Sequence, residues 1–141
     1  MAQTTRIKER QAAQAQRIKQ AQAFMVPDNI DVAILGGGAA GLCAAITAAE
    51  ALGANKRVVI FEKALESGRT ILATGGGRCN FTNADLSFEN FSHPKFVQAV
   101  CKDKDTFLAD ILAFFRFSGL AWATEDEGRM YPLTRQASSI Q

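Results

Sequence analysis

A glycine-rich turn between two apolar segments is the feature that most limits how this chain can fold. Residues 36–41 read Gly-Gly-Gly-Ala-Ala-Gly, a G-x-G-x-x-G pattern that follows the apolar run 30–35 and opens a helix-forming run, 39–52. A second apolar run, 57–62, comes next. We therefore expect a strand, a helix and a strand to form a right-handed βαβ unit over residues 30–63, with the two strands parallel.

The glycines of this turn have separate physical roles in such a unit. Gly36 permits the tight turn, Gly38 lets a pyrophosphate approach the backbone, and Gly41 lets the helix and strand pack closely. The helix N-terminus offers N–H groups and the positive end of its dipole to the phosphates. Glu62 ends the second strand, where a carboxylate accepts hydrogen bonds from ribose hydroxyls and would repel a 2′-phosphate. The pattern indicates a site for the ADP half of a dinucleotide and disfavours NADP.

A second glycine-rich stretch lies in a segment, residues 64–86, that we expect to be long and irregular. Three consecutive glycines, 75–77, allow another close approach of the backbone to a ligand. Arg78 follows them with a planar cation suited to phosphate. A flexible surface turn is the alternative interpretation. For Cys79, packing beside a cofactor and a redox role are both left open.

The rest of the chain predicts further helices and short strands. Pro94 can open a helix that runs to about Lys102, and the apolar spacing of residues 105–118 predicts an amphipathic helix with its phenylalanines in the core. Residues 120–124 and 129–133 read as short strands. Together with the βαβ unit, these elements predict an α/β fold.

Composition and charge exclude several classes of protein. The net charge of +2 is too small to indicate a nucleic-acid partner, and no stretch approaches the roughly 18 apolar residues of a membrane span. Three cysteines and one histidine form neither a disulfide framework nor a recognisable zinc site, so we expect a cytoplasmic protein with no bound metal. Cys43 is expected to pack within its helix.

The first residues differ in composition from the remainder. Residues 1–25 carry a net charge of +4 and six glutamines. We expect residues 1–27 to be a polar, basic extension, either a frayed helix or disordered, and residues 28–141 to be the N-terminal part of a cofactor-binding domain. A mitochondrial transit peptide is an alternative that Glu9 and the glutamines weigh against.

Several of these segments together resemble a known family. Residues 34–42, the Phe-Glu-Lys of 61–63, the Gly-Arg of 68–69 and, above all, the Thr-Gly-Gly-Gly-Arg-Cys-Asn-Phe-Thr-Asn of 74–83 look like the N-terminal third of the aminoacetone-oxidase-type FAD-binding family. Its members are bacterial NAD(P)/FAD-dependent oxidoreductases. The Gly-Arg-Met-Tyr-Pro-Leu-Thr of 128–134 is similar to a later signature of that family.

The resemblance implies a Rossmann-like, FAD/NAD(P)-binding fold that holds FAD, with most of the chemistry done by the flavin. It places Glu62 at the FAD ribose, and Arg69 with residues 76–80 along the pyrophosphate and toward the flavin. No residue is assigned as catalytic. The predicted cofactor-binding residues are Gly36, Gly37, Gly38, Ala40, Gly41, Glu62, Lys63, Arg69, Gly76, Gly77, Arg78, Cys79 and Asn80.

Family members are much longer than this chain, so the domain is expected to be truncated. The sequence therefore predicts the N-terminal FAD-binding portion of a flavin-dependent oxidoreductase of unknown substrate, with a small molecule as one candidate substrate. A catalytically inactive nucleotide-binding fragment and an NAD-dependent Rossmann dehydrogenase are the alternatives. A second chain that completes the domain is a further partner to consider. Alone, the 141 residues are expected to hold FAD weakly and not to turn over substrate.

Overall fold

The computed structural model describes residues 2–22, 25–101 and 103–141, and the chain divides into two compact units, Met1–Arg69 and Thr70–Gln141. The first unit contains two helices and two strands. In chain order they are α1 (Ala2–Gln22), β1 (Val32–Leu35), α2 (Ala39–Leu52) and β2 (Val58–Phe61).

The predicted βαβ unit is present in the first unit. Strands β1 and β2 pair in parallel, with Val32 opposite Val58 and Leu35 opposite Phe61. Helix α2 has the predicted bounds because it lies between Gly38 and Gly53, and Gly53 adopts a positive φ of 75° that ends it. The chain therefore has the α/β arrangement that its sequence indicates.

Strand β1 is shorter than predicted, because side-chain contacts hold the residues just before it. The carboxylate of Asp31 accepts hydrogen bonds from the backbone N–H of Arg57 and from Lys56 Nζ, both at 2.9 Å. The Arg57 N–H bond and then the Lys56 bond lower the pKa of Asp31. The strand ladder begins only after this exposed contact, at Val32.

Helix α1 covers most of the segment predicted to be a polar extension. Every side chain from residue 5 to residue 20 is exposed, yet the helix is in contact with the rest of its unit, since Arg17 forms an ion pair with Glu66. Residues 23 and 24 of the predicted extension lie outside the described residues. No helix in the described part of the chain is long and apolar enough to cross a membrane.

The second unit combines two helices with an antiparallel sheet. Its helices are α3 (Pro94–Cys101) and α4 (Lys104–Phe117), and its strands are β3 (Thr82–Asn83), β4 (Trp122–Thr124) and β5 (Arg129–Pro132). Strand β5 is central, between β3 and β4. The predicted irregular segment 64–86 contains β3 and a 3₁₀ segment, Ile71–Gly77. The predicted end of α3 at Lys102 lies outside the described residues.

The core of the second unit forms around β5. Met130, Tyr131 and Pro132 are buried, as are three residues from other parts of the unit: Ile71, Cys79 and Ala137. The rings of Phe81 and Phe115 meet edge to face with centroids 4.7 Å apart.

Two packing predictions were wrong. Phe117, expected in the core, is 78% exposed, because it lies off the apolar stripe of α4. Cys43, expected to pack within α2, is exposed, and α2 contains no buried residue.

Candidate functional site

The glycine-rich turn after β1 is held by hydrogen bonds on both sides of Gly37. The buried N–H of Gly37 donates to Glu62 Oε2 at 2.5 Å, and its carbonyl accepts from the N–H of Gly68 at 2.6 Å. Gly36, at φ 101°, donates its own N–H to the Phe61 carbonyl at 2.8 Å. The turn is thereby tied to the end of β2 and to the loop that follows it.

At two positions of the motif, Gly37 and Gly41, close neighbours leave no room for a side chain. A Cβ on Gly37 would collide with the Ser67 side chain and lie 3.2 Å from Glu62 Oε2. A Cβ on Gly41 would collide with the carbonyl oxygen of Gly36 and lie 3.5 Å from Ile34 Cγ2. The close packing of helix on strand that the sequence assigned to Gly41 is therefore visible in the structure.

The N-terminus of α2 can accept an anion. Gly38 precedes the helix in an extended conformation (φ −76°, ψ −174°) and supplies no side-chain cap. The first N–H groups of a helix lack partners within it and point along the positive end of its dipole. Ala39 and Ala40 are exposed, so their side chains leave this end of the helix open to solvent. The arrangement suits a phosphate group.

Glu62 is fixed beside the turn as an ionised group. Its carboxylate accepts from the N–H of Ala64 at 2.6 Å as well as from Gly37. These bonds, Ala64 first and Gly37 second, lower the pKa of Glu62 against an opposing effect of burial. A carboxylate offers about four lone-pair positions, so Glu62 retains capacity for two further donors such as ribose hydroxyls.

A cavity of about 610 Å³ lies beside Glu62. Three consecutive apolar residues of β2, Val59, Ile60 and Phe61, line it. Lys63 is exposed and does not line it, and Arg69 lines a separate cavity of about 370 Å³ with residues of α1. A cavity that combines the apolar residues of β2 with two carboxylates, Glu62 and Glu66, fits a flat heterocycle joined to a sugar.

The second glycine-rich stretch adopts left-handed backbone at three successive glycines, with φ values of 54°, 65° and 88° for residues 75–77. A Cβ on Gly75 would lie 2.9 Å from the backbone nitrogen of Asn80, whereas nothing lies within 4 Å of one on Gly76. The backbone of Gly76 and Gly77 is exposed and open to an approaching ligand.

The three residues after these glycines are engaged in their own unit. The Arg78 guanidinium lies 4.4 Å from the centroid of the Tyr131 ring and donates to Glu125 Oε2 at 3.1 Å. Cys79 is buried at 6% exposure with φ 57°, a position that is shielded from solvent. The Asn80 amide, oriented with its nitrogen toward the β5 backbone, donates to the carbonyl of Met130 at 3.1 Å and to that of Thr82 at 2.8 Å. These contacts stabilise the stretch whether or not a ligand is bound.

The predicted cofactor residues thus fall into two groups, one in each unit. In the first unit Gly37 is hydrogen-bonded to Glu62, and Gly41 lies against the carbonyl of Gly36. Lys63 and Arg69 lie apart from these contacts. In the second unit residues 76–80 form one continuous stretch. Among the described residues no cluster of histidine, cysteine and carboxylate side chains could hold a metal ion.

Sequence reasoning missed the residues that fasten the turn. Ala64 and Gly68 act through backbone N–H groups, and Ser67 acts by its position against Gly37. Backbone donors leave no signal in side-chain type. Gly68 was the one available clue, since its φ of 76° favours glycine.

The sequence is similar to known proteins over most of its length. Residues 30–141 match the family described as the HI0933-like protein Rossmann domain. The chain is 40% identical over 111 residues to a 3-dehydro-bile acid delta(4,6)-reductase of Clostridium scindens. The aligned residues cover 77% of this chain and 26% of the relative.

Two ribosomal RNA dihydrouridine synthases are also similar. The Escherichia coli protein is 29% identical over 106 residues, covering 74% of this chain and 25% of the relative. The Haemophilus influenzae protein is 30% identical over 100 residues, covering 70% and 24%. The chain spans about a quarter of the length of these relatives. With its parallel βαβ unit and a match that extends over residues 30–141, the chain belongs to the HI0933-like Rossmann-domain family.

Proposed function

We propose that this chain is the N-terminal FAD-binding portion of a flavin-dependent oxidoreductase. The observation that carries the proposal is the ionised carboxylate of Glu62, held 2.5 Å from the N–H of Gly37 at the carboxyl end of β2. In parallel sheets ligands bind outside the carboxyl ends of the strands. A carboxylate fixed at that edge, beside an uncapped helix N-terminus, is suited to an ADP group.

The described residues fit the ADP half of FAD. Glu62 would accept hydrogen bonds from the ribose hydroxyls, and its charge would disfavour a 2′-phosphate. The N-terminus of α2, with Gly38 and Ala40, would receive the pyrophosphate. Gly76 and Gly77 offer open backbone to a ligand in the second unit. The flavin, when bound, would supply the hydride chemistry, and none of these residues is assigned as an acid or a base.

Other predicted contacts have a weaker basis. Arg78 is already paired with Glu125, Cys79 is buried, and the Asn80 amide bonds to backbone carbonyls. We therefore propose that the main role of these three residues is to shape the second glycine-rich stretch, and that contact with the cofactor is their secondary role. Lys63 remains a proposed cofactor contact, and Arg69 remains a proposed contact along the pyrophosphate and toward the flavin.

The names of the relatives support oxidation–reduction and leave the substrate open. One relative is named as a reductase of a bile acid, and two are named as synthases of dihydrouridine in ribosomal RNA. A steroid and a nucleobase share little beyond a ring system. We propose an organic substrate with a reducible or oxidisable bond and assign no narrower class.

The experiment that tests the proposal is identification of the bound cofactor. The purified chain is dialysed to equilibrium against a mixture of FAD, FMN and NAD, the protein side is then denatured without washing, and the compound released in excess over the bulk solution is identified by mass. Release of FAD supports the proposal. Release of NAD alone would favour a Rossmann dehydrogenase, and release of FMN alone would contradict the ADP site. FAD that binds without turnover in any oxidase assay would fit a nucleotide-binding fragment.

A further inference from the structure

Helix α1 contributes one wall of a cavity in which Arg69 is the one residue already proposed as an FAD contact. The residues of α1 that line this cavity of about 370 Å³ are Arg10, Ala13, Gln14 and Arg17. Their spacing of three, one and three residues places them on one face of the helix. The opposite wall comes from the loop after β2, through Leu65, Glu66 and Arg69.

The charge around this cavity is predominantly positive. Three arginines line it, against the single carboxylate of Glu66. Glu66 is paired with Arg17, so Arg10 and Arg69 carry the remaining positive charge. A guanidinium presents donors in a fork that matches phosphate oxygens. Several such forks around one cavity favour an anion with several oxygens.

We propose that this cavity is a binding site for a phosphate or diphosphate group, formed by Arg10 and Arg17 of α1 together with Arg69. The site includes α1 in ligand binding and does not require that the bound cofactor be FAD. It also gives a physical reason for the basic character of residues 1–25, whose net charge is +4.

The cavity adjoins the one beside Glu62. Arg17, Leu65 and Glu66 line both cavities, so the two are neighbours along the loop after β2. A nucleotide whose phosphates bind the arginines would place its nucleoside toward the cavity beside Glu62. Free inorganic phosphate or pyrophosphate offers the same oxygens without the nucleoside, and the experiment below separates these two sources.

The test is isothermal titration of the full chain with inorganic pyrophosphate and, separately, with ADP, in a buffer free of other multivalent anions. We expect both ligands to bind, and binding to weaken as sodium chloride is raised, because salt screens exposed charges. Arg10→Gln and Arg17→Gln should each lower the affinity for pyrophosphate about tenfold, since each removes charge-assisted hydrogen bonds. If ADP binds more tightly than pyrophosphate and displaces it, the natural source is a nucleotide. If ADP binds no better, the source is a free phosphate compound.

Two further variants make the test decisive. Lys8→Gln removes one positive charge from α1 at a position that lines neither cavity, and it should leave the affinity unchanged. Glu66→Gln removes the one carboxylate of the cavity and should raise the affinity. Circular dichroism confirms that each variant keeps its helix content. No binding of pyrophosphate or ADP by the wild type, or equal loss in Lys8→Gln and the arginine variants, would overturn the proposal.

This outcome is separate from that of the cofactor experiment. Glu62 and the glycine-rich turn do not line the cavity of the arginines. Pyrophosphate binding that depends on Arg10 and Arg17 would stand even if no FAD were recovered. Recovery of FAD together with pyrophosphate binding that is unchanged in Arg10→Gln and Arg17→Gln would support the proposed function and refute the phosphate site.

Discussion

Glu62 satisfies two backbone donors at once, and a neutral side chain cannot replace it in both contacts. In Glu62→Gln one amide oxygen remains as an acceptor, and the NH₂ group faces the N–H of either Gly37 or Ala64. We expect FAD affinity to fall at least about tenfold, because each lost charge-assisted hydrogen bond is worth about 1.5–3 kcal/mol. Fluorescence titration measures this change. Glu50→Gln, on the exposed surface of α2, is the matched control, and an unchanged dissociation constant for Glu62→Gln would remove Glu62 from the site.

The same carboxylate makes the stability of the first unit depend on pH. The folded pKa of Glu62 lies below its ordinary value, so the unfolded chain takes up this proton first as the pH falls. The stabilisation is complete above the unfolded pKa and is lost as the pH falls through the lower, folded pKa. Urea unfolding between pH 7 and pH 3 should therefore show the wild type and Glu62→Gln converging in acid. A difference that stays constant with pH would refute this linkage.

Gly41 gives a residue-scale test in which two effects have opposite signs. Helix propensity alone predicts that Gly41→Ala stabilises by about 1 kcal/mol. The added Cβ would collide with the Gly36 carbonyl oxygen, which belongs to the backbone and cannot rotate away. Overpacking of this kind costs about 1–3 kcal/mol, so we expect a net loss of stability. Thermal unfolding measures it, with Ala44→Ser at an exposed position of α2 as the control. A higher melting temperature would show that the turn can yield.

At the scale of elements, local sequence signals predicted the helices, whereas the pairing of the strands depends on long-range contacts. Helix α2 was predictable because Gly38 and Gly53 bound it. Strand β3 was not, because its pairing joins Thr82 to Met130, and no local pattern specifies a partner so far along the chain. The exposure of Phe117 was predictable in principle, since its position lies off the apolar stripe of α4.

The contacts of Arg78 with Tyr131 of β5 and with Glu125 give a prediction at the element scale. Arg78→Lys retains the charge but loses the planar stacking on Tyr131 and the fork that faces Glu125. We expect the free energy of unfolding to fall by about 0.5–1 kcal/mol, the value of an exposed cation–π contact. Chemical denaturation measures it.

A variant of the ring partner supplies the comparison for Arg78. Tyr131→Phe keeps the ring and removes only a hydroxyl that lies 3.5 Å from Arg78 Nη2, so it should cost less than Arg78→Lys. The reverse order would show that the hydroxyl, rather than the stacking, holds Arg78.

At the scale of the whole molecule, the sequence predicted the elements that carry the candidate site better than the contacts that hold them together. The βαβ unit and the position of Glu62 followed from residue pattern. The bond from Gly68 to Gly37 did not, because backbone donors are invisible in side-chain type. The cavity against α1 was also missed, since a helix with no apolar stripe gives no sign of what it contacts.

We expect the 141-residue chain to bind FAD weakly, with a dissociation constant above about 10 µM. In the described part of the first unit the parallel sheet has only β1 and β2, and Leu35 at the end of β1 is 86% exposed. Ligand sites usually bury about 70–90% of the ligand, which this unit cannot achieve for a whole flavin dinucleotide. Fluorescence titration with FAD measures the constant, and FMN, which lacks the ADP half, is the control ligand. Tight stoichiometric binding, or flavin-dependent oxidase activity, would contradict this expectation.

The double fastening of Gly37 has a consequence for the thermodynamics of ligand association. The N–H and the carbonyl of Gly37 lie in successive peptide units, and because both are engaged, the φ and ψ angles of Gly37 are restrained, although glycine is the residue with the greatest backbone freedom. The turn therefore gives up little conformational entropy when a ligand arrives, because that entropy was already lost on folding. A nucleotide that meets this turn would associate without a slow rearrangement of the glycines, and its binding enthalpy would not be offset by ordering of the loop.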